Sequence, residues 1–388
     1  MVKAKKKKIL IMITHSLGEI DVLMPLFSAV RGKYDIDIEM VFVVKKIYRQ
    51  FESNDFLKFC VKELDIKITC CQLPNKFDYR DSMLVSHLVG RLLIKYYFKL
   101  LLLVKIPVLL KKILVSDVYM HESTNQRRST VLLHYGYRLL GKKIYTYHHG
   151  HSLNQTTINS KKVYQSEEST FLLFHQLGED WADSLGYTNQ YVIGFPKFYE
   201  EWISLVKQFD GSEFKGREIV VIYSRPVSKA YMDYDKYEKL LLSSCKIIRK
   251  KLNNIPIIIK PHPREDIVLI ESILKNENIS NVFISWENSM VLAANAIFII
   301  SYWGGSIFDG LAMGVPSIEY YIEAKHFREH EPEGSVYKKI GLHSVDNESG
   351  FEKLIDSVIN GEHQIPKCFG EISKGKNIDF LKMKVDNE

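Results

Sequence analysis

Cysteine is scarce in this chain: five in 388 residues, at Cys60, Cys70, Cys71, Cys245 and Cys368. Adjacent Cys70 and Cys71 cannot easily bridge each other, and no pair shows metal-ligand spacing. An odd count without a secretory signal argues for reduced thiols in a cytosol. Long apolar runs are missing too. Ile9 to Ile13 is five residues, too short for a signal-peptide core. Arg91 to Val115 is rich in leucine, yet Lys95, Lys99, Lys105, Lys111 and Lys112 interrupt it, and its longest run, from Leu100, is five residues. A membrane span wants about 20 mostly apolar residues, and Pro107 should break or kink a helix there. These lysines share no single helical face. Two readings stay open: a buried helix with snorkelling lysines, or peripheral attachment to an anionic membrane. No internal repeat and no nucleic-acid recognition motif is present.

What is there is the composition of a globular protein, 46% apolar and 26% charged, long enough for two ordinary domains. The net charge is +7, with much of the excess in Lys3 to Lys8 and in residues 91–143. That fits a solvated basic surface, or contact with anionic lipid or a phosphorylated acceptor. Short apolar runs alternate with helical patterns throughout, the signature of parallel α/β sheets. Strands are predicted at Ile9–Thr14, Ile38–Val44, Ile66–Cys70, Asp117–Met120, Ile144–Tyr147, Phe171–His175 and Tyr191–Ile193. After a polar, glycine-containing stretch they resume at Ile219–Tyr223, Ile255–Lys260, Val282–Ser285 and Ile297–Ile300. The division reads as 1–195, a linker at 196–217, a second domain at 218–365 and a polar tail at 366–388.

Phe298 to Tyr321 organises the second half. A strand runs into Ser301, then the Gly304-Gly305-Ser306 turn, then a helix of about two turns. Backbone N–H groups at such a turn favour an anion, and glycine allows close approach. Two further strand ends bring Ser224 with Arg225, and Lys260, His262 and Arg264. Ends of parallel strands gather along one edge, where cations and N–H donors can stabilise a departing phosphate. His262 could also protonate it. Asp309 could accept ribose hydroxyls, or simply favour a helix N-terminus, and Glu319 could approach the sugar or nucleoside. In the first half, His148, His149 and His151 cluster after a strand. Neighbouring strand residues point to opposite faces and no second ligand motif completes a metal site. A general base for an acceptor hydroxyl suits them better. His149 is the first choice, with His15 and Glu122 as rivals, and Gly18 and His151 on the acceptor side.

Together these residues resemble the GT-B superfamily, whose enzymes carry two Rossmann-like domains facing across a cleft. KPHPRED with SYWGGSIFDGLAMGVPSIEYY is similar to bacterial capsule and surface-polysaccharide transferases, including CDP-glycerol glycerophosphotransferases and sialyl- and Kdo-transferases with an HP motif. The resemblance implies that His262 meets the donor phosphate, that Ser301 and Gly304 to Ser306 bind it too, and that His149-Gly150 carries the base. It implies an inverting, metal-independent glycosyltransferase with a CMP-, CDP- or UDP-linked donor and no other cofactor. The acceptor would be a glycan or lipid-linked glycan, met in the cytoplasm or on the inner face of the cytoplasmic membrane. More distantly, the layout is similar to non-hydrolysing UDP-N-acetylglucosamine 2-epimerases. Those have an acidic residue where this chain has His149, a His-Arg-Arg-Glu-Asn run where it has Ser224-Arg225-Pro226-Val227-Ser228, and a glutamate pair where it has only Asp309. An epimerase, a CDP-polyol phosphotransferase and a non-catalytic sugar-nucleotide-binding subunit are the alternatives.

Overall fold

A computed structural model describes residues 6–14, 16–71, 107–123, 128–148, 150, 168–227, 232–277, 279–322, 334–362 and 375–382. The chain divides into two compact units: Met1–Pro196 with Lys376–Glu388, and Lys197–Gly375.

The first unit carries a seven-stranded sheet. Its strands are β1 (Lys7–Ile13), β2 (Ile36–Phe42), β3 (Lys67–Cys70), β4 (Val118–Glu122), β5 (Lys143–Tyr147), β6 (Thr170–Leu173) and β7 (Asn189–Val192), in the order β3-β2-β1-β4-β5-β6-β7. Every neighbouring pair is parallel. The second unit repeats the plan with β8 (Ile219–Tyr223), β9 (Ile257–Lys260), β10 (Val282–Ile284), β11 (Ala296–Ser301), β12 (Ser317–Tyr320) and β13 (Ser344–Val345). Their order is β10-β9-β8-β11-β12-β13, again all parallel. Both sheets run outward from a central strand in two directions, the doubly wound Rossmann plan, in which ligands bind where the order reverses. Those points are β1/β4 in the first unit and β8/β11 in the second.

The central strands carry apolar runs, as strands covered by helices on both faces do. All five residues of β8 are buried. On one face of the second sheet Ile222, Ile259 and Ile300 pack with Tyr237, Leu241 and Ile270, and on the other Val221, Ile258 and Ile299 meet Leu292 and Ala293. Gly310 is dictated by packing. A Cβ there would lie 2.3 Å from Ser317 Oγ and 2.4 Å from Ile299 Cδ1.

Three departures from the sequence reading have physical causes. Lys45–Glu52 is a helix that buries only Ile47 and Phe51, one turn apart, too few for a clear apolar stripe. The sequence reading places a helix at Phe198–Phe209 inside the linker, and Glu200–Gln208 is helical; the departure is where it packs. Its Trp202 is buried and donates to Met290 Sδ, so it belongs to the second unit. Residues 376–382 return to the first unit. Phe380 is fully buried against Tyr145, whose hydroxyl donates to the Phe380 carbonyl at 2.7 Å. Asp379 accepts from Lys33 and Tyr34, both at 2.7 Å.

Of the lysine-broken segment, residues 107–115 are described and helical. They are not a buried helix. Leu109 and Ile113 face inward while Leu114 and its neighbours are exposed. Lys112 pairs with Glu39 at 2.5 Å. No described helix is long and apolar enough to cross a membrane.

Candidate functional site

In the second unit the strand register brings the predicted residues together. Tyr223 pairs with Lys260 on one side and Ser301 on the other. The segments leaving β8, β9 and β11 therefore emerge side by side, at the point where the strand order reverses.

After β9 the chain makes a tight turn. Pro263 follows His262, and the Glu265 N–H closes the turn on the His262 carbonyl at 2.9 Å, as proline at the second turn position favours. His262 Nδ1 accepts from the Arg264 N–H at 3.2 Å, so a neutral ring carries its proton on Nε2. Burial and the nearby cations Arg264, Arg225 and Lys260 push its pKa down to about 4. His262 is thus a neutral N–H donor at ordinary pH in the free protein.

Glu265 was not anticipated from the sequence. Its carboxylate accepts from Ser224 Oγ at 2.8 Å, from Tyr237 OH at 2.9 Å, and from the His262 N–H. It ties the end of β8 to the turn after β9 and to the helix Tyr234–Lys251. Burial raises its pKa despite these donors. Glu265→Ala would leave three donors without this acceptor, so a loss of about 2 kcal/mol is expected. Urea unfolding of the purified variant checks this, and an unchanged midpoint would refute the structural role.

After β11 the backbone makes an unusual turn. Trp303 adopts φ +50°, a left-handed conformation rare for a bulky residue. Arg225 holds it there: the guanidinium stacks 4.1 Å from the indole centroid and donates to the Trp303 carbonyl. Ser301 Oγ donates to the Gly304 carbonyl at 3.0 Å. The amides of Gly304, Gly305 and Ser306 have no acceptor among the described residues. Successive amides of this kind form an anion-binding concavity. The helix that follows, Ile307–Ala312, has six residues, under two turns. At the end of β9, Lys260 lies 5.6 Å from the centroid of the half-exposed Trp286 ring.

Four groups assigned to the ligand by sequence are already engaged. The hydroxyls of Ser224 and Ser301 donate within the protein, so they are not spare donors for phosphate. Asp309 is buried, its carboxylate held by Lys197 at 2.6 Å and by Ser289. Glu319, also buried, accepts from Ser335 Oγ at 2.6 and 2.8 Å and from Ser344 Oγ. These two carboxylates tie elements of the unit together. Arg225, Lys260, His262, Arg264 and the three amides follow strand ends that lie side by side.

In the first unit, Glu19 closes the turn between β1 and the helix Gly18–Lys33. Its carboxylate accepts from the amides of Thr14 at 3.0 Å and Ser16 at 3.1 Å, beside Gly18 at the helix start. Glu122 is fully buried at the end of β4, and its Oε1 is 3.3 Å from His148 Nδ1. His148 packs edge-on against Trp181. His15, His149 and His151 lie outside the described residues. Among the described residues, no three His, Cys, Asp or Glu side chains gather as a metal site.

Solved structures share this architecture. UDP-GlcNAc 2-epimerase from Methanocaldococcus jannaschii superposes with TM-score 0.58 at 13% identity, covering 97% of this chain and 99% of its own. The fold is GT-B. A putative UDP-N-acetylglucosamine 2-epimerase from Listeria monocytogenes gives TM-score 0.58 at 10% identity over 96% and 93%. UGT2 from Phytolacca americana, solved with UDP-2fluoro-glucose and pterostilbene, gives 0.52 at 9% over 97% and 98%. By sequence, neither a protein-family model nor a curated protein matches the chain. The GT-B fold thus spans 2-epimerases and UGT2, and of these three structures the epimerases superpose with the higher TM-scores.

Proposed function

We propose that the chain is a sugar-nucleotide enzyme that binds the phosphates of its donor in the second unit and transfers the sugar to a glycan or lipid-linked hydroxyl. One observation carries the reading: three consecutive open amides at Gly304–Ser306 share a strand-end edge with Arg225, Lys260 and His262. A leaving nucleotide gathers negative charge on its phosphate, and prearranged N–H donors and cations there lower the barrier to departure. His262 contributes as a neutral Nε2–H donor. The half-exposed Trp286 ring offers a stacking face for the base. His149 is assigned as the base that deprotonates the acceptor. The Glu122–His148 pair steadies the strand end from which His149 follows. Transfer is preferred to epimerisation because this chain has histidine, not an acid, at 149, and because Asp309 and Glu319 are consumed by protein donors.

Incubation with UDP-N-acetylglucosamine and a panel of CMP-, CDP- and UDP-linked sugars, with and without membrane-extracted glycan acceptor, tests this. Acceptor-dependent nucleotide release is expected, lost in His149→Ala while nucleotide affinity stays within about threefold. Formation of an epimer without acceptor would replace transfer by epimerisation. Binding without turnover of any donor would leave a non-catalytic subunit.

A further inference from the structure

Each open amide in the turn after β11 shares a rigid trans peptide plane with the carbonyl before it, so whatever holds that carbonyl aims the amide. The Gly305 carbonyl accepts from the Phe308 N–H at 3.1 Å, which aims the Ser306 N–H. The Gly304 carbonyl accepts from the Ile307 N–H at 3.2 Å and from Ser301 Oγ at 3.0 Å, which aims the Gly305 N–H. Both sets of bonds are local to the turn and the helix start. The Trp303 carbonyl, which aims the Gly304 N–H, is instead held from a neighbouring strand, by the Arg225 guanidinium.

The guanidinium must itself be held, because a long arginine side chain loses much rotamer entropy when it is fixed. Trp303 supplies the surface. Its ring is only 3% exposed, and the Arg225 guanidinium lies 4.1 Å from its centroid. Among aromatic rings, indole is the best partner for a cation. Two residues before Arg225, the Tyr223 carbonyl accepts from the Tyr302 N–H at 3.0 Å. The segments leaving β8 and β11 are thus tied at two successive points, 223 to 302 and 225 to 303.

The residue type at 303 points the same way. Its φ of +50° is a conformation that glycine enters freely and a bulky residue does not. Glycines follow at 304 and 305, yet the tryptophan takes the left-handed place. Such conformations persist where the surroundings over-determine them, and they cluster at ligand clamps. We propose that Trp303 is a positioning residue for the donor phosphate: its ring sets the Arg225 guanidinium, which in turn holds the Trp303 carbonyl and so aims the Gly304 N–H. The inference rests on the reading that the phosphate binds at this edge. Trp303 acts through Arg225 and Gly304 without touching the phosphate.

Calorimetry on the full chain tests it, with UDP, CDP and CMP as probes and the tightest of them carried through all variants. Trp303→Leu should weaken binding about tenfold, whereas Trp303→Phe, which keeps a ring face, should stay within about threefold of wild type. In an Arg225→Ala background, Trp303→Leu should cost less than about threefold more, because the group it positions is already gone. Thermal unfolding shows which variants are folded, and Trp303→Met, which fills space without a ring face, replaces the leucine variant if that one is not. A residue that merely supports the fold would cost the same factor in both backgrounds, with no rescue by phenylalanine. That result, or wild-type affinity in Trp303→Leu, would overturn the inference and leave the phosphate site standing. Undiminished binding by Arg225→Ala, or no binding of any probe by the wild-type chain, would instead remove the phosphate site and the inference with it.

Discussion

Arg225→Ala is expected to weaken nucleoside-diphosphate binding by about thirtyfold to a hundredfold, measured by calorimetry. Charge-assisted hydrogen bonds to phosphate contribute about 2 to 3 kcal/mol each. Arg225 has a second task as well. It stacks on Trp303 and donates to its carbonyl, holding the left-handed residue that precedes the three open amides. Losing it removes a cation and loosens the concavity together. Arg225→Lys separates the two effects, because an ammonium keeps charge but cannot reproduce the planar stack. Its affinity should fall between those of the wild type and the alanine variant. If Arg225→Ala bound nucleoside diphosphate as tightly as wild type, the phosphate would have to sit elsewhere.

Mild acid is expected to destabilise the first unit. His121 is buried, with Nδ1 3.0 Å from the Glu122 carbonyl, and its pKa falls to about 4 chiefly because burial disfavours the cation. His134, edge-on to it at 5.7 Å between centroids, is pushed down to about 4 by burial, then by His121 and Arg138. Between pH 4 and the ordinary value near 6.5 the unfolded chain binds the extra protons, so stability rises with pH in that window and falls as pH drops through it. At pH 5 this costs about 2 kcal/mol per histidine, or about 3 to 4 kcal/mol for the adjacent pair. His262, lowered in the same direction, adds a similar trend in the second unit. Denaturant unfolding at pH 7 and pH 5 measures the loss. The double variant His121→Leu/His134→Leu should lose distinctly less than wild type on acidification. An identical loss in both proteins would exclude the pair as its source.

The centres of the sheets were legible because strands such as β1, β8 and β11 are largely buried and read as apolar runs. Ile219–Tyr223 matches the sequence reading residue for residue. Ser344–Val345, a two-residue edge strand, has no such run to read. At the site, cations and glycines after strands were visible because parallel topology alone brings strand ends together. Glu265 and Trp303 were not. The partners of Glu265 lie on three elements, and nothing in the string YWGGS shows that the tryptophan, rather than a glycine, takes the left-handed conformation. Asp309 and Glu319 looked like ligand contacts for the complementary reason. A carboxylate near a strand end reveals its task only through the lysine or serine that reaches it from elsewhere.

The return of residues 376–382 to the first unit constrains the order of assembly. Lys197–Gly375 is one continuous stretch, so it can complete its core as soon as it is synthesised. The earlier-made sheet must wait, because the Phe380 ring that packs on Tyr145 comes nearly 200 residues after β7. During synthesis the N-terminal half is therefore the more exposed to chaperones and proteases, although it is made first.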